Sequence, residues 1–150
     1  MTDECLVTPD DDEAVAPSGI VIITGMSGAG RSQAIHTFED LGYFCIDNLP
    51  PSFIPRLVEL ASLPGSRIGR LAVVCDIRAK EFFDELTGEI SALADRDIPA
   101  DILFLEADDE ILVNRFKETR RPPPLCSEGS SVVDAIREER EALETIRGRA

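Results

Sequence analysis

GIVIITGMSGAGRSQAI, residues 19–35, joins an apolar β-branched run, a glycine-rich loop and the start of a helical pattern without a spacer. The loop GMSGAGRS fits the spacing G-x-x-x-x-G-[K/R]-[S/T] of a phosphate-binding loop between a strand and a helix. Phosphates need converging backbone N–H groups, and glycines let the chain curl closely enough to supply them. We therefore predict a site for nucleotide phosphates; the alternative is a glycine-rich turn that holds no ligand. The residues of the predicted site are Gly25, Met26, Ser27, Gly28, Ala29, Gly30, Arg31 and Ser32.

Arg31 stands where this motif normally carries lysine. Arginine keeps the positive charge but replaces a compact ammonium group by a broad planar fork. It can still grip a phosphate oxygen, even through two hydrogen bonds, but it fits poorly where lysine follows the γ-phosphoryl group. Because loss of one tuned electrostatic contact costs on the order of 10²–10³ in rate, we predict retained nucleotide binding with slow or absent turnover.

Beyond this loop, short apolar runs alternate with helical patterns, which predicts an α/β fold with a parallel sheet and helices on both faces. The predicted strands cover residues 20–24, 43–47, 70–77 and 101–108. The predicted helices run from Ser32 to a stop at Gly42, and over residues 54–62, 80–96, 109–121 and 131–147.

The composition fits one globular domain in a chain of 150 residues. The formal net charge of −14 argues against nucleic acid as a direct partner, since phosphate backbones attract cations. Residues 1–17 are predicted to be an acidic disordered tail, and residues 18–150 the nucleotide-binding domain. No apolar run approaches the ~20 residues that span a bilayer, and the acidic start is unlike a signal peptide. We therefore predict a cytoplasmic protein without a membrane segment.

The cysteines and the histidine do not suggest a metal centre. The four cysteines show no C-x-x-C pairing, and Cys45 and Cys75 fall within apolar runs. This favours small buried side chains in a reducing compartment. His36 is the single histidine of the sequence, so we expect it to have a packing or surface role.

Two aspartates follow predicted strands at the carboxyl edge of the sheet, where ligands gather in an open α/β fold. LAVVCD, which ends at Asp76, resembles the apolar run and aspartate that hold Mg²⁺ in phosphate-binding-loop proteins. Ser32 and Asp76 are therefore the candidate Mg²⁺ ligands, and the alternative for Asp76 is a helix cap. Asp47 is a candidate base or substrate contact, or else a cap of the turn with Asn48.

NRFKETRR, residues 114–121, brings four cations to the end of a predicted helix. On a helix, Lys117, Arg120 and Arg121 can share one face, whereas Arg115 and Lys117 cannot. Arg120 and Arg121 are therefore candidate phosphate clamps of a lid. Alternatively, they are cations that stabilise the C-terminus of the helix.

Several longer stretches resemble the RapZ/YvcJ nucleotide-binding proteins, which include an RNase adapter branch. The matching stretches, spread over about residues 19–150, are TGMSGAGRSQAIHTFEDLGYFCIDNLPPSFIPRL, VVCDIRA, ILFLEADDEILVNRFKETRRPPPL and SSVVDAIREEREALETIRGRA. DLGYFCIDNLP together with TRRPPPL is far more specific than the loop alone. Two residues depart from the family pattern: Arg31 replaces lysine, and Pro123 replaces the histidine of RRxHPL.

The resemblance implies a P-loop kinase-like domain that binds ATP and GTP and hydrolyses either weakly. It implies an ATP site at the glycine-rich loop and a GTP contact at Asp76, Ile77, Arg78 and Ala79. Family members also carry a C-terminal domain linked to an aminosugar phosphate, RNA and RNase contacts. We therefore expect an isolated N-terminal domain with strand order 2-3-1-4, its fifth strand lost by truncation, and protein partners acting through the missing half. Its exposed fourth strand predicts self-association.

Together these features predict a regulatory domain that binds ATP or GTP with Mg²⁺. One alternative is a small-molecule kinase that uses Asp47 as base and Arg120 or Arg121 as clamp. The other is an interaction module whose loop no longer binds nucleotide.

Overall fold

The computed structural model describes residues 17–75 and 80–150, and within them the strands form one parallel sheet. The strands are β1 (Gly19–Gly25), β2 (Phe44–Ile46), β3 (Arg70–Val74) and β4 (Asp101–Leu105). Their order is β2-β3-β1-β4, which confirms the predicted order. In this register Ile22 lies between Val73 and Ile102, so β1 is an interior strand. The glycine-rich loop therefore begins in the middle of the carboxyl edge of the sheet.

Three strands are shorter than predicted: β2 by one residue at each end, and β3 and β4 at their C-terminal ends. β4 ends at Leu105 rather than Asp108, because β1 leaves the sheet at Gly25, which is the register partner of Leu105. β3 ends at Val74, and the rest of the predicted strand runs into residues 76–79, outside the described ranges.

Helices and a short turn connect the strands. They are α1 (Arg31–Asp40), a 3-10 turn (Pro51–Phe53), α2 (Ile54–Ala61), α3 (Lys80–Asp95), α4 (Asp109–Thr119) and α5 (Val132–Arg147). The prediction that α4 continues to Arg121 was wrong. Arg120 has a left-handed φ of 53° that ends the helix, and the prolines after Arg121 cannot continue it. Lys117, Arg120 and Arg121 therefore do not share a helix face.

Helices cover both faces of the sheet, as predicted. One face buries Val21 and Ile23 against Ile35 of α1. The other face buries Ile20 and Ile22. The helices that cover this second face contribute Val58 of α2, Leu86 of α3, Leu112 of α4 and Leu143 of α5. Burial of β1 on both faces explains why its sequence is apolar without alternation.

The cysteine and histidine positions follow from the same layers. Cys75 is fully buried at the end of β3, as predicted, whereas Cys45 on the edge strand β2 is only half-buried. His36 lies on the exposed side of α1, with Nδ1 3.0 Å from Oε2 of Glu39, which agrees with a surface role.

Two expectations concern the ends and the surroundings of the domain. The acidic tail predicted for residues 1–17 falls outside the described residues except for Pro17. Among the helices that the structure describes, none combines the length and the apolar character needed to cross a membrane.

Candidate functional site

The glycine-rich loop is fastened to β4 where it leaves the sheet. The N–H group of Met26 donates to the carbonyl oxygen of Leu105 at 2.9 Å, and the Met26 side chain is fully buried. Gly25 has a φ of 137°, and a Cβ atom there would lie 2.2 Å from the same carbonyl oxygen. Only glycine lets the chain turn this close to β4.

The next part of the loop leaves backbone donors unused. A turn forms where the N–H group of Ala29 donates to the carbonyl oxygen of Met26 at 3.0 Å. Within the described part of the chain, no hydrogen bond uses the N–H groups of Gly28, Gly30 or Ser32. Unpaired N–H groups at a helix start carry the positive end of the helix dipole, and together they can bind an anion.

These donors border an open cavity of about 410 Å³. It is lined by Gly28, Ala29, Gly30, Arg31, Ser32, Gln33 and Arg115. Gly30 caps α1 in a left-handed conformation, φ 102°, with no side-chain cap, and a Cβ atom there would meet nothing within 4 Å. The start of the helix is therefore open to the cavity. The lining residues that the structure describes include no carboxylate, so they fit a group with several negatively charged oxygens.

Two guanidinium groups give this cavity its positive charge. Arg31 extends from the first position of α1, and its Nη1 donates to the carbonyl oxygen of Cys75 at 3.3 Å, at the end of β3. Arg115 reaches across from α4, and its Nη1 donates to the carbonyl oxygen of Gly28. The cavity is therefore bounded by cations from two helices that lie far apart in the chain.

The positive charge of Arg31 acts on two buried acidic groups, the Cys75 thiol and the Glu139 carboxyl. Burial raises the pKa of the Cys75 thiol to about 12, although the nearby Arg31 guanidinium acts in the opposite direction. Burial also raises the pKa of Glu139, and Arg31 again opposes the rise. Cys75 therefore stays a neutral thiol at physiological pH, and Arg31 is a central charge of the site.

The buried side chain of Glu139 anchors the glycine-rich loop through Ser27. It lies on α5 and is 3% exposed, and its Oε1 accepts both the N–H group of Ser27 at 3.0 Å and the hydroxyl of Ser27 at 2.7 Å. Ser27 itself is buried. The third residue of the loop is thus fixed by a helix near the end of the described chain.

The structure brings together only part of the residue set predicted from sequence. Residues 28–32 line the cavity, while Met26 and Ser27 are buried behind it. Asp47 is exposed after β2, which is separated from β1 by β3, and it is not among the lining residues. Arg120 and Arg121 are exposed beyond α4 and also lie outside the lining. Asp76, Ile77, Arg78 and Ala79 lie outside the described residues.

Two residues of the site were missed by the sequence reasoning. The helical spacing favours Arg120 and Arg121 over Arg115 as phosphate contacts, although Arg115 lies nearer the start of α4, which follows β4. Glu139 did carry a signal. It occupies a core position of α5, with Ile136, Leu143 and Ile146 as the buried residues of the same helical spacing. A charged residue at such a position indicates a specific partner.

The parallel sheet with a glycine-rich loop between β1 and α1 defines a P-loop kinase-like fold. A solved tunicamycin resistance protein from Deinococcus radiodurans is similar in fold, with a TM-score of 0.52 at 18% identity over 84% of this chain and 80% of that chain. The model of the RapZ-like N-terminal domain matches residues 19–150. The chain therefore belongs to the RapZ-like family, through its N-terminal domain, which confirms the family predicted from sequence.

Curated relatives are also similar over most of this chain. A nucleotide-binding protein of Caldicellulosiruptor bescii is 54% identical over 129 residues, which cover 85% of this chain and 44% of that protein. A nucleotide-binding protein of Halothermothrix orenii is 55% identical over 130 residues, which cover 87% of this chain and 45% of that protein. The chain thus spans less than half the length of these relatives.

Proposed function

We propose that this chain is a regulatory domain that binds ATP or GTP with Mg²⁺ and hydrolyses it slowly or not at all. The observation that supports the proposal is the set of N–H groups at Gly28, Gly30 and Ser32, for which no described residue is an acceptor and which face a cavity with two guanidinium groups. The relatives that bear the name nucleotide-binding protein support it. The β- and γ-phosphates would lie over the loop at the start of α1.

The proposed binding of a magnesium nucleotide depends on the Mg²⁺ ligands and the phosphate-binding groups that the site supplies. Ser32 lines the cavity at the helix start and offers a hydroxyl to Mg²⁺, and Asp76 is the second proposed ligand. The lining residues supply donors and positive charge, whereas Mg²⁺ would supply charge neutralisation between the phosphate oxygens. A GTP contact at residues 76–79 is part of the same proposal.

Arg31 is the reason for proposing slow turnover. Its guanidinium is engaged with the Cys75 carbonyl at the end of β3. A planar fork held in this way binds phosphate oxygens but follows a moving phosphoryl group less easily than an ammonium group on a flexible stem. Binding and hydrolysis are therefore separate properties of this site.

Arg115 provides a direct test of the site. We expect Arg115→Gln to weaken ATP or GTP binding about tenfold, which corresponds to ~1.4 kcal/mol, because it removes a cavity cation and its bond to the Gly28 carbonyl. Isothermal titration calorimetry with each nucleotide, with and without Mg²⁺, measures the change. Lys117→Gln is the matched control, since Lys117 is on the same helix but outside the cavity lining. Equal loss in both variants, or no binding by the wild type, would contradict the proposal.

The partners proposed for this domain follow from its charge and its sheet. We propose a cytoplasmic domain whose direct ligand is a nucleoside triphosphate and not a nucleic acid, in keeping with the net charge of −14. Protein partners would bind through the C-terminal domain that the family resemblance implies. Arg120 and Arg121 remain proposed phosphate clamps, and Asp47 a proposed base of the alternative kinase, which substrate-dependent phosphate transfer would identify.

Self-association through β4 is a further expected result. β4 is an edge of the described sheet, and Ile102, Leu103, Phe104 and Leu105 are half-buried. Unpaired strand edges with apolar side chains tend to pair with another chain. We therefore expect light scattering to show dimers or larger species at high protein concentration, and Leu103→Lys to reduce them. A monodisperse monomer at high concentration would contradict this expectation.

A further inference from the structure

The two carboxyl oxygens of Glu139 have unequal surroundings, which its role in anchoring the loop does not by itself explain. One carboxyl oxygen, Oε1, accepts both hydrogen bonds from Ser27. The other, Oε2, is buried and has no hydrogen-bond partner among the described residues. A buried carboxylate normally uses both oxygens, because an unpartnered charged oxygen is expensive to bury. Without a partner for Oε2 among the described residues, the ionised form of Glu139 is costlier to bury than the protonated form.

Burial disfavours the ionised form of Glu139, whereas its hydrogen bonds and neighbouring cations favour it. Arg31 at the start of α1 and Arg140 on its own helix act on it as positive charges, and Ser27 donates to it from the loop. Arg140 is already bonded to Asp109 of α4 at 2.6 Å and to Glu106 at 3.3 Å. Burial is the largest influence and raises the pKa of Glu139 above its ordinary value of 4.5. Of the two arginines that line the proposed nucleotide cavity, Arg31 is the one that favours the ionised carboxylate of Glu139.

We propose that Glu139 is a positioning residue for the nucleotide phosphates: it fixes the loop through Ser27 and takes up a proton when the phosphates bind. This inference rests on the proposed nucleotide site. The proton comes from solvent and converts the carboxylate of Glu139 to the carboxylic acid. Oε1 continues to accept the two hydrogen bonds of Ser27, so the loop keeps its shape.

The physical reason is competition for positive charge. A triphosphate over the loop brings several negative charges next to Arg31 and the open start of α1, and Arg31 is also a positive charge that acts on Glu139. The phosphates neutralise Arg31 and repel the buried carboxylate, and both effects favour its protonated form. Nucleotide affinity therefore rises as the pH falls through the range in which Glu139 titrates, by up to tenfold per pH unit for one proton taken up.

Calorimetry in pairs of buffers with different ionisation enthalpies counts the protons taken up per bound ATP. We expect the wild type to take up a fraction of a proton, up to one, more than Glu139→Gln at the same pH. Glutamine keeps an oxygen for Ser27 but cannot be protonated. Glu141→Gln is the matched control because it removes an exposed carboxylate from the same helix, and it should behave as the wild type.

A second variant covers the case in which Glu139→Gln does not fold. Ser27→Ala removes the hydroxyl that stabilises the carboxylate, so Glu139 is already more protonated in the free protein and proton uptake should fall. Titration of ATP itself is common to every variant and cancels in the comparison. The same proton uptake in the wild type and in the folded variants would overturn the inference and leave nucleotide binding intact. Absence of binding in the wild type would overturn the proposed function, and this inference with it.

Discussion

Arg31→Lys is expected to raise the rate of ATP or GTP hydrolysis on the order of 10²-fold while changing nucleotide affinity little. Removing one preorganised contact to the developing charge costs on the order of 10²–10³ in rate, and restoring lysine supplies that contact. The affinity should change little because arginine and lysine carry the same charge at the same position of the loop.

The structure gives a geometric reason for this expectation. The Arg31 guanidinium donates to the Cys75 carbonyl at the end of β3, while its charge also acts on Glu139. A lysine at this position is a compact group whose three donors turn freely toward the phosphates. Hydrolysis is measured by phosphate release under single-turnover conditions, and affinity by calorimetry.

The control for this experiment is Arg31→Met, which keeps a long side chain but removes the charge. We expect it to bind nucleotide more weakly than the wild type and to gain no hydrolysis. If the wild type already hydrolyses nucleotide as fast as Arg31→Lys, the interpretation of Arg31 as a brake on turnover is wrong. If hydrolysis rises equally in Arg31→Met, the positive charge is not the relevant property.

Gly25→Ala is expected to destabilise the fold by about 4 kcal/mol or more. The new Cβ atom would lie 2.2 Å from the carbonyl oxygen and 2.6 Å from the nitrogen of Leu105. Both are backbone atoms of β4, so neither moves without disturbing the strand. The φ of 137° adds strain of ~1–3 kcal/mol for a residue with a side chain, and overpacking adds a further ~1–3 kcal/mol or more.

Gly30→Ala separates the two causes of this loss. Gly30 also has a positive φ, 102°, but a Cβ atom there would meet nothing within 4 Å. It should therefore show the conformational strain alone, ~1–3 kcal/mol. Urea denaturation of both variants measures the difference in the free energy of unfolding. Equal losses would mean that the close approach of Gly25 to β4 does not contribute.

The glycine-rich loop and the class of fold were predictable because their signals are local. β1, the loop and α1 are contiguous, so hydrophobic pattern and glycine spacing report them directly. The helix C-terminus at Thr119 was predicted two residues too far. Its end depends on the left-handed conformation of Arg120, which residue type alone indicates poorly.

The residues that complete the site were not predictable in the same way. Arg115 bonds to Gly28 across 87 positions of the chain, and Glu139 bonds to Ser27 across 112 positions. Pattern and spacing describe neighbours within a strand or helix, and they do not say which face of one helix meets which loop. The apolar spacing of α5 could only have shown that Glu139 points inward.

The amino-acid sequence alone therefore determined the family, the parallel α/β architecture and the position of the glycine-rich loop, since each depends on patterns in consecutive residues. Only the tertiary structure decided which cations border the cavity and which carboxyl group holds the loop. Packing of α4 and α5 against the sheet brings Arg115 to Gly28 and Glu139 to Ser27 of the same short loop, and that packing depends on the whole core.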